Sequence, residues 1–282
     1  MKTAVCTLAV GKVGDGLLSV SGPVLAKYAD RIGAKLYVYR IPESDYACGE
    51  KFRVQPVVAS HDRTIYLDAD IYFDPDKMPS LFDVVPIGHL GGHDDLSFGN
   101  QKVAPGGWIQ NEHDALCDSQ GWPRRKIERA YNSGVLVLDR EHAGFFDQPT
   151  KPYPKYHCSE QWAEWLNVLR YGYKTFDLPS IYNWQWWFES RMPSLQERPD
   201  IHIRHWAGMG NLVTQEARLE EMRKFAGTVS RAGRRCLNLL ERVEVKAGCQ
   251  GYGCAHKCER SLPAVPGGFC QTCWRFEDDG AF

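Results

Sequence analysis

Short apolar, β-branched runs alternate with longer stretches of helical period through the first half of the chain. "KTAVCTLAV" reads as a strand and "SVSGPVLAKYADRIG" as a helix closing on Gly33, a residue type suited to a helix terminus. "AKLYVYRI" is again strand-like, "KFRVQPVVASH" is weakly helical despite Pro56, and "RTIYLD" is a strand. This alternation predicts βαβ units and a mostly parallel sheet, in which ligands gather at the carboxyl ends of the strands.

Further along, "PIGHLGG" and "YNSGVLVLDR" are strand candidates, with a loop expected over Gly91–Asn111. "SEQWAEWLNVLRYG" predicts a helix capped by Ser159, and "HIRHWAGMGN" a last strand. From Thr214 the character changes, and "QEARLEEMRKFAG" and "VSRAGRRCLNLLERV" predict charged amphipathic helices. The expected organisation is a main domain over 1–211, a helical segment over 212–246 and a Cys-rich appendage over 247–282.

Composition narrows the class. A chain of 282 residues that is 43% hydrophobic, with a net charge of −1, can bury a large core and has no bulk attraction for polyanions. The bases of the late helices interleave with acids, so nucleic acid is not an expected partner. No apolar run reaches the ~18 residues of a membrane span, and the N-terminal segment reads as a strand instead of a signal peptide. A cytoplasmic location is the expectation. It agrees with Cys6, Cys48, Cys117, Cys158 and Cys236, scattered singly as buried thiols of a reducing compartment are.

The chemistry concentrates in "RTIYLDADIYFDPD". In an extended segment residues i and i+2 share a side, so Asp68 and Asp70 converge while Ala69 faces packing. Two carboxylates aimed at one point repel unless a hard cation, Mg²⁺ or Mn²⁺, joins them, and that cation can hold a diphosphate. A calcium loop of the EF-hand type fails, because Phe73 stands where glycine is needed and Pro79 where the bidentate Glu belongs. A phosphatase-type strand end and a plain polar turn remain the other readings of the pair.

"RTIYLDADIYF", "YNSGVLVLDR", "SEQWAEWLN…DLPSIYNW" and "HIRHWAGMG" occur in this order, and together they resemble the retaining nucleotide-sugar transferases of glycosyltransferase family 8 over about Met1 to Gly210. The resemblance implies a GT-A fold, a Rossmann-like mixed and mostly parallel sheet flanked by helices. It implies a UDP-sugar donor, an unidentified glycan, protein or small-molecule acceptor, and Mn²⁺ (or Mg²⁺) on Asp68, Asp70 and His205. An imidazole beside carboxylates suits Mn²⁺; His202 is the neighbour to be distinguished. By the same match, Asn132 and Ser133 lie under the sugar and Gly134 permits close backbone approach. Glu160 and Gln161 face the reacting carbon, though as helix-start residues they are equally capping groups. Thr7, Ala9 and Val10 line the base pocket, Lys51 reaches the phosphates or sugar, and Ala69 and Gly208 lie at the donor. Trp184, Trp186, Trp187 and Phe188 form a candidate acceptor-stacking cluster. The chain departs from the family at Asn211, where a Lys normally meets the diphosphate; Arg204, Arg124 and Arg125 are the candidate substitutes. A non-catalytic nucleotide- or glycan-binding module and a metal-dependent nucleotidyl- or phosphotransferase are the alternatives.

The C-terminal stretch "CQGYGCAHKCERSLPAVPGGFCQTCW" presents Cys254 and Cys258, then Cys270 and Cys273, as two ligand pairs joined by a short loop. Such pairing predicts one structural Zn²⁺, with disulfides and free thiols as the other readings.

Overall fold

The computed structural model describes residues 1–41, 47–98, 108–153, 159–186, 188, 201–207, 214–229 and 273–275. Strands β1 (Thr3–Leu8), β2 (Lys35–Tyr39) and β3 (Arg63–Leu67) pair in parallel around β1. Strand β6 (Tyr131–Asp139) lies antiparallel to β3 and also to β5 (Leu90–Asp94), which pairs in parallel with β7 (Thr175–Asp177). The edge strand β10 (Cys273–Arg275) runs antiparallel to β2, giving the order β10-β2-β1-β3-β6-β5-β7. Only β6 and β10 run against the common direction, so the sheet is the mostly parallel one that the resemblance implies.

Both faces of this sheet are covered, which explains why β3 and β6 are buried at every position. Alternation sorts their side chains: Val5, Ile65, Leu67, Val135 and Val137 enter one core, and Cys6, Tyr66, Leu136 and Leu138 the other. The first core packs on helix α1 (Gly11–Arg31), which is longer than its apolar period suggests. Its Gly-rich start folds tightly against the end of β1, where a Cβ on Gly14 would lie 2.1 Å from the Ala9 carbonyl carbon. The second core is closed by α2 (Gln55–Ser60), whose Pro56 sits in the first turn, where no donor is needed, and by α5 (Ser159–Tyr171).

The expected loop over Gly91–Asn111 is corrected. Strand β5 continues through Asp94 and a short 3₁₀ turn follows over Asp95–Phe98. Glycine disguised the strand because close packing requires it there: a Cβ on Gly91 would lie 2.5 Å from Val85, and one on Gly92 3.1 Å from Tyr131. After α3 (Leu81–Val84), helix α4 (Trp108–Gln120) takes Trp108–Asn111 out of the expected loop and had no expectation beyond it; Ile109, Leu116 and Cys117 carry it onto Trp162, Ala163 and Leu166 of α5.

A small second sheet positions the site. Strands β4 (Ile71–Tyr72), β9 (Arg204–His205) and β8 (Trp184–Gln185) place β9 at the centre, antiparallel to β4 with Ile71 opposite His205. Helix α6 (Gln215–Val229) docks on it: Met222 is fully buried, and Phe225 meets Trp206 and Tyr72 edge-on at 5.6 and 5.9 Å. The expected helix over "VSRAGRRCLNLLERV" lies almost wholly outside the described residues, which end at Val229 there.

Candidate metal centre

Strand β3 ends at Leu67, and the chain turns across the edge between the two sheets. The Asp68 backbone N–H donates to Gly134 O at 2.8 Å, and the Asp70 carbonyl accepts from Trp206 N–H at 2.9 Å. These two bonds tie the acid pair to β6 and β9. Ala69 is buried in the core, as the alternation predicts.

Asp68, Asp70 and His205 offer ligand atoms that all lie within 4.8 Å of one another. His205 Nε2 stands 3.3 Å from Asp70 Oδ1 and 3.7 Å from Asp68 Oδ2. Its other nitrogen fixes the tautomer through a chain of amides. Gly134 N–H donates to Asn132 Oδ1 at 3.0 Å, and Asn183 Nδ2 donates to the same oxygen at 3.0 Å. Asn183 Oδ1 is therefore the atom 2.7 Å from His205 Nδ1, which must donate to it. In the neutral ring the Nε2 lone pair then faces two carboxylates, a set of acceptors that a divalent cation satisfies. Room for this approach comes from Gly134, where a Cβ would lie 2.2 Å from His205 Cε1 and 2.8 Å from Asp68 Oδ2. The residues thus fit a divalent metal ion. His202, by contrast, stacks on Tyr182 at 5.0 Å.

Cations already flank the pair. Lys51 Nζ lies 3.2 Å from Asp68 Oδ2 and donates to Ser133 Oγ at 2.9 Å, while Tyr66 OH donates to Asp68 Oδ1 at 2.6 Å. Arg218 Nη1 on α6 reaches Asp70 Oδ2 at 3.0 Å. Burial works to raise the Asp70 pKa, but His205 in its protonated form, with Arg218 and Lys51, outweighs it and holds the carboxyl below the usual range. Burial also acts to lower Lys51, and the Asp68 and Glu160 carboxylates more than reverse it.

Of the other expected site residues, Asn132, Ser133, Glu160 and Gln161 are buried. Ser133 and Glu160 are brought to Lys51, and Asn132 to the amide chain. Thr7 and Ala9 are buried at the end of β1 and Val10 is half-buried before α1. Gly208 and Asn211 lie outside the described residues, as do Cys254, Cys258 and Cys270; Cys273 opens β10. The acceptor-stacking expectation is corrected for two of its members: Trp184 and Phe188 are core residues, packed edge-on at 5.5 Å. Trp186 is half-buried, and Trp187 is not among the described residues. Among the arginines offered for the diphosphate, Arg124 pairs with Asp118 at the surface and Arg204 stacks on Phe225 at 4.7 Å.

Four residues near the site had no assigned role in the sequence reading. Asn183 orients His205, and Arg218 meets Asp70. Asp95 is half-buried; burial pushes its carboxyl up to about 7 against hydrogen bonds from Gln185 and Asn132. Glu164 is fully buried one turn after Glu160, and burial raises it well above the carboxylate range despite Lys51. A signal for Arg218 was present: it precedes Met222 and Phe225 by four and seven positions, the spacing of one helix face.

No family model matches the chain, and no curated protein sequence matches it. Solved structures do. A glycosyltransferase involved in glycosylation of the major capsid of PBCV-1 is 13% identical with a TM-score of 0.47, covering 79% of this chain and 100% of that one. The galactosyltransferase LgtC, in complex with donor and acceptor sugar analogs, is 14% identical with a TM-score of 0.46, over 80% of this chain and 95% of its own. Mouse xyloside xylosyltransferase 1 is 11% identical with a TM-score of 0.40, over 74% and 99%.

Proposed function

We propose that the protein is a metal-dependent glycosyltransferase that moves a sugar from a UDP-sugar to an acceptor with retention of configuration. The observation that carries this reading is the convergence of Asp68, Asp70 and a tautomer-fixed His205 at the carboxyl end of β3. The order of sequence motifs described above supports it independently of the geometry.

Asp68, Asp70 and His205 would hold Mn²⁺, or Mg²⁺ in its place. When bound, the cation supplies positive charge against the charge that builds on the departing diphosphate. The chain's own residues prepare that position. Tyr66 OH and Lys51 fix the Asp68 carboxylate, Asn183 aims His205, and Gly134 keeps the space clear. Lys51 and Ser133 form the donor side, with Asn132, Glu160 and Gln161 placed for the sugar and the acceptor. Thr7, Ala9 and Val10 mark the base end, where the parallel strands terminate. A cytoplasmic location agrees with the free thiols of Cys6, Cys48 and Cys117. Among the described residues no helix is long and apolar enough to cross a membrane. Cys254, Cys258, Cys270 and Cys273 complete the proposal as a structural zinc set, which metal analysis of protein purified without chelator would test.

The deciding experiment is incubation of the full chain with a series of nucleotide sugars and Mn²⁺, with the released products identified. Release of UDP from one donor, lost on chelation, is expected. Release of a nucleoside monophosphate or inorganic phosphate instead would replace this reading with a nucleotidyl- or phosphotransferase. Binding without turnover, with acceptors supplied, would leave a recognition module.

A further inference from the structure

We infer that Arg218 is a second cationic anchor for the donor's diphosphate, presented by helix α6 beside the metal-binding triad. The inference deepens the proposed transferase reading and rests on it.

Placement comes first. Thr214 opens α6, with its Oγ1 accepting from Ala217 N–H at 3.2 Å and its carbonyl from Arg218 N–H at 3.1 Å. Met222 and Phe225 then seat the helix on Trp206 and Tyr72. The guanidinium is thus delivered by a docked element to the acid pair, with the side chain only 13% exposed.

Two features of the contact point outward to a ligand. Arg218 meets Oδ2 of Asp70, whereas His205 Nε2 faces Oδ1, so the two contacts are made through different oxygens. A guanidinium also has five N–H donors, of which the described contacts use one at Nη1; Nε is buried with no hydrogen-bond partner among the described residues. A buried donor without a partner is costly, and an oxyanion with several oxygens is the ligand that removes the cost.

Charge leads to the same chemistry. Lys51 matches Asp68 and Arg218 matches Asp70, so a divalent ion on the triad leaves a positive excess. Glu160 and Glu164 also act on Lys51; the Glu160 carboxylate offsets part of that excess, while burial raises Glu164 toward its uncharged form. A diphosphate supplies the missing negative charge.

The test is calorimetric titration of the full chain and of Arg218→Gln and Arg218→Lys with Mn²⁺ alone, then with UDP, inorganic pyrophosphate and uridine in saturating Mn²⁺. Arg218→Gln should keep Mn²⁺ affinity and uridine affinity, yet lose about 10- to 100-fold for UDP and pyrophosphate. Arg218→Lys should recover part of that loss, since an ammonium restores the charge but not the fork. Unchanged UDP affinity, or equal losses for UDP and uridine, would overturn the inference in favour of a merely structural ion pair. If Arg218→Gln fails to fold, phenylglyoxal labelling of the wild-type chain decides: Mn²⁺ with UDP should protect Arg218 where Mn²⁺ alone does not, and equal labelling refutes the role. Pyrophosphate binding that depends on Arg218, without turnover of any nucleotide sugar, would uphold Arg218 and remove the transferase reading. Turnover unimpaired in Arg218→Gln would do the reverse.

Discussion

The β3–β6 pair carries buried charge at both ends and handles it in opposite ways. At the start of β3, Arg63 Nε binds Asp139 Oδ1 at 2.7 Å, and Nη2 donates to Val85 O at 2.9 Å. Nη1 takes the Phe82 carbonyl, and Gly88 N–H completes Asp139 Oδ2. Every group there has its complement. Past the end of β3, Lys51 and Arg218 flank the acids on one side, but the neutral His205 lone pair, Asp68 and Asp70 still converge as acceptors, and Arg218 Nε has no partner among the described residues. The open end is only somewhat more exposed, with Asp70 at 12% and Asp68 at 21% against 9% for Asp139, so burial alone does not separate structure from function. The unfilled valence does.

Breaking the closed end should have the largest effect on stability. Arg63→Met leaves Asp139 buried without its cation, and the expected loss is about 3–5 kcal/mol in denaturant melts. Mn²⁺ affinity of the folded fraction should be unchanged; a loss of metal binding would show that the two ends are coupled.

Asp70→Asn at the open end should produce the complementary result. Mn²⁺ binding, followed by calorimetry or electron paramagnetic resonance, should fall by at least about 100-fold, more than the loss of a supporting group causes. The melting temperature should drop by less than in Arg63→Met, because the amide oxygen still accepts from Arg218. Wild-type metal affinity in this variant would remove the site assignment.

A smaller effect is expected from the room around the imidazole. Gly134→Ala must displace His205 or Asp68, given the 2.2 and 2.8 Å approaches, and metal affinity should fall by about 10- to 100-fold. Asn183→Leu should reproduce part of this loss through the ring orientation alone.

The smallest signal is a pH dependence. Burial raises Glu164 well above its ordinary value of 4.5, so above that pH the folded chain holds a proton that the unfolded chain has released. Stability therefore falls as pH rises through this range. Glu164→Gln removes this proton, and its melting temperature relative to wild type should increase from pH 5 to pH 8. A constant difference would mean that Glu164 is ionised in the fold.

What could be read from the chain depended on locality. The β1–α1–β2–β3 alternation and the shared side of Asp68 and Asp70 follow from short periods, and both are present in the fold. Strand β5 was partly hidden because Gly91 and Gly92 give up side chains to Val85 and Tyr131, and α4 because its apolar face is sparse. Asn183 and Arg218 act on residues 22 and 148 positions away, and no local pattern encodes those pairings. The charged appearance of α6 concealed one cation that faces inward.

That last separation also orders the birth of the protein. The acids of the β3 exit leave the ribosome 135 or more residues before His205 and 148 before Arg218. A growing chain can pair β1, β2 and β3 early, but its acid pair has no imidazole until synthesis has passed β9 and no guanidinium until it has entered α6. The nascent protein therefore carries paired N-terminal strands and an acid pair without its third ligand until the residues of β9 have been added.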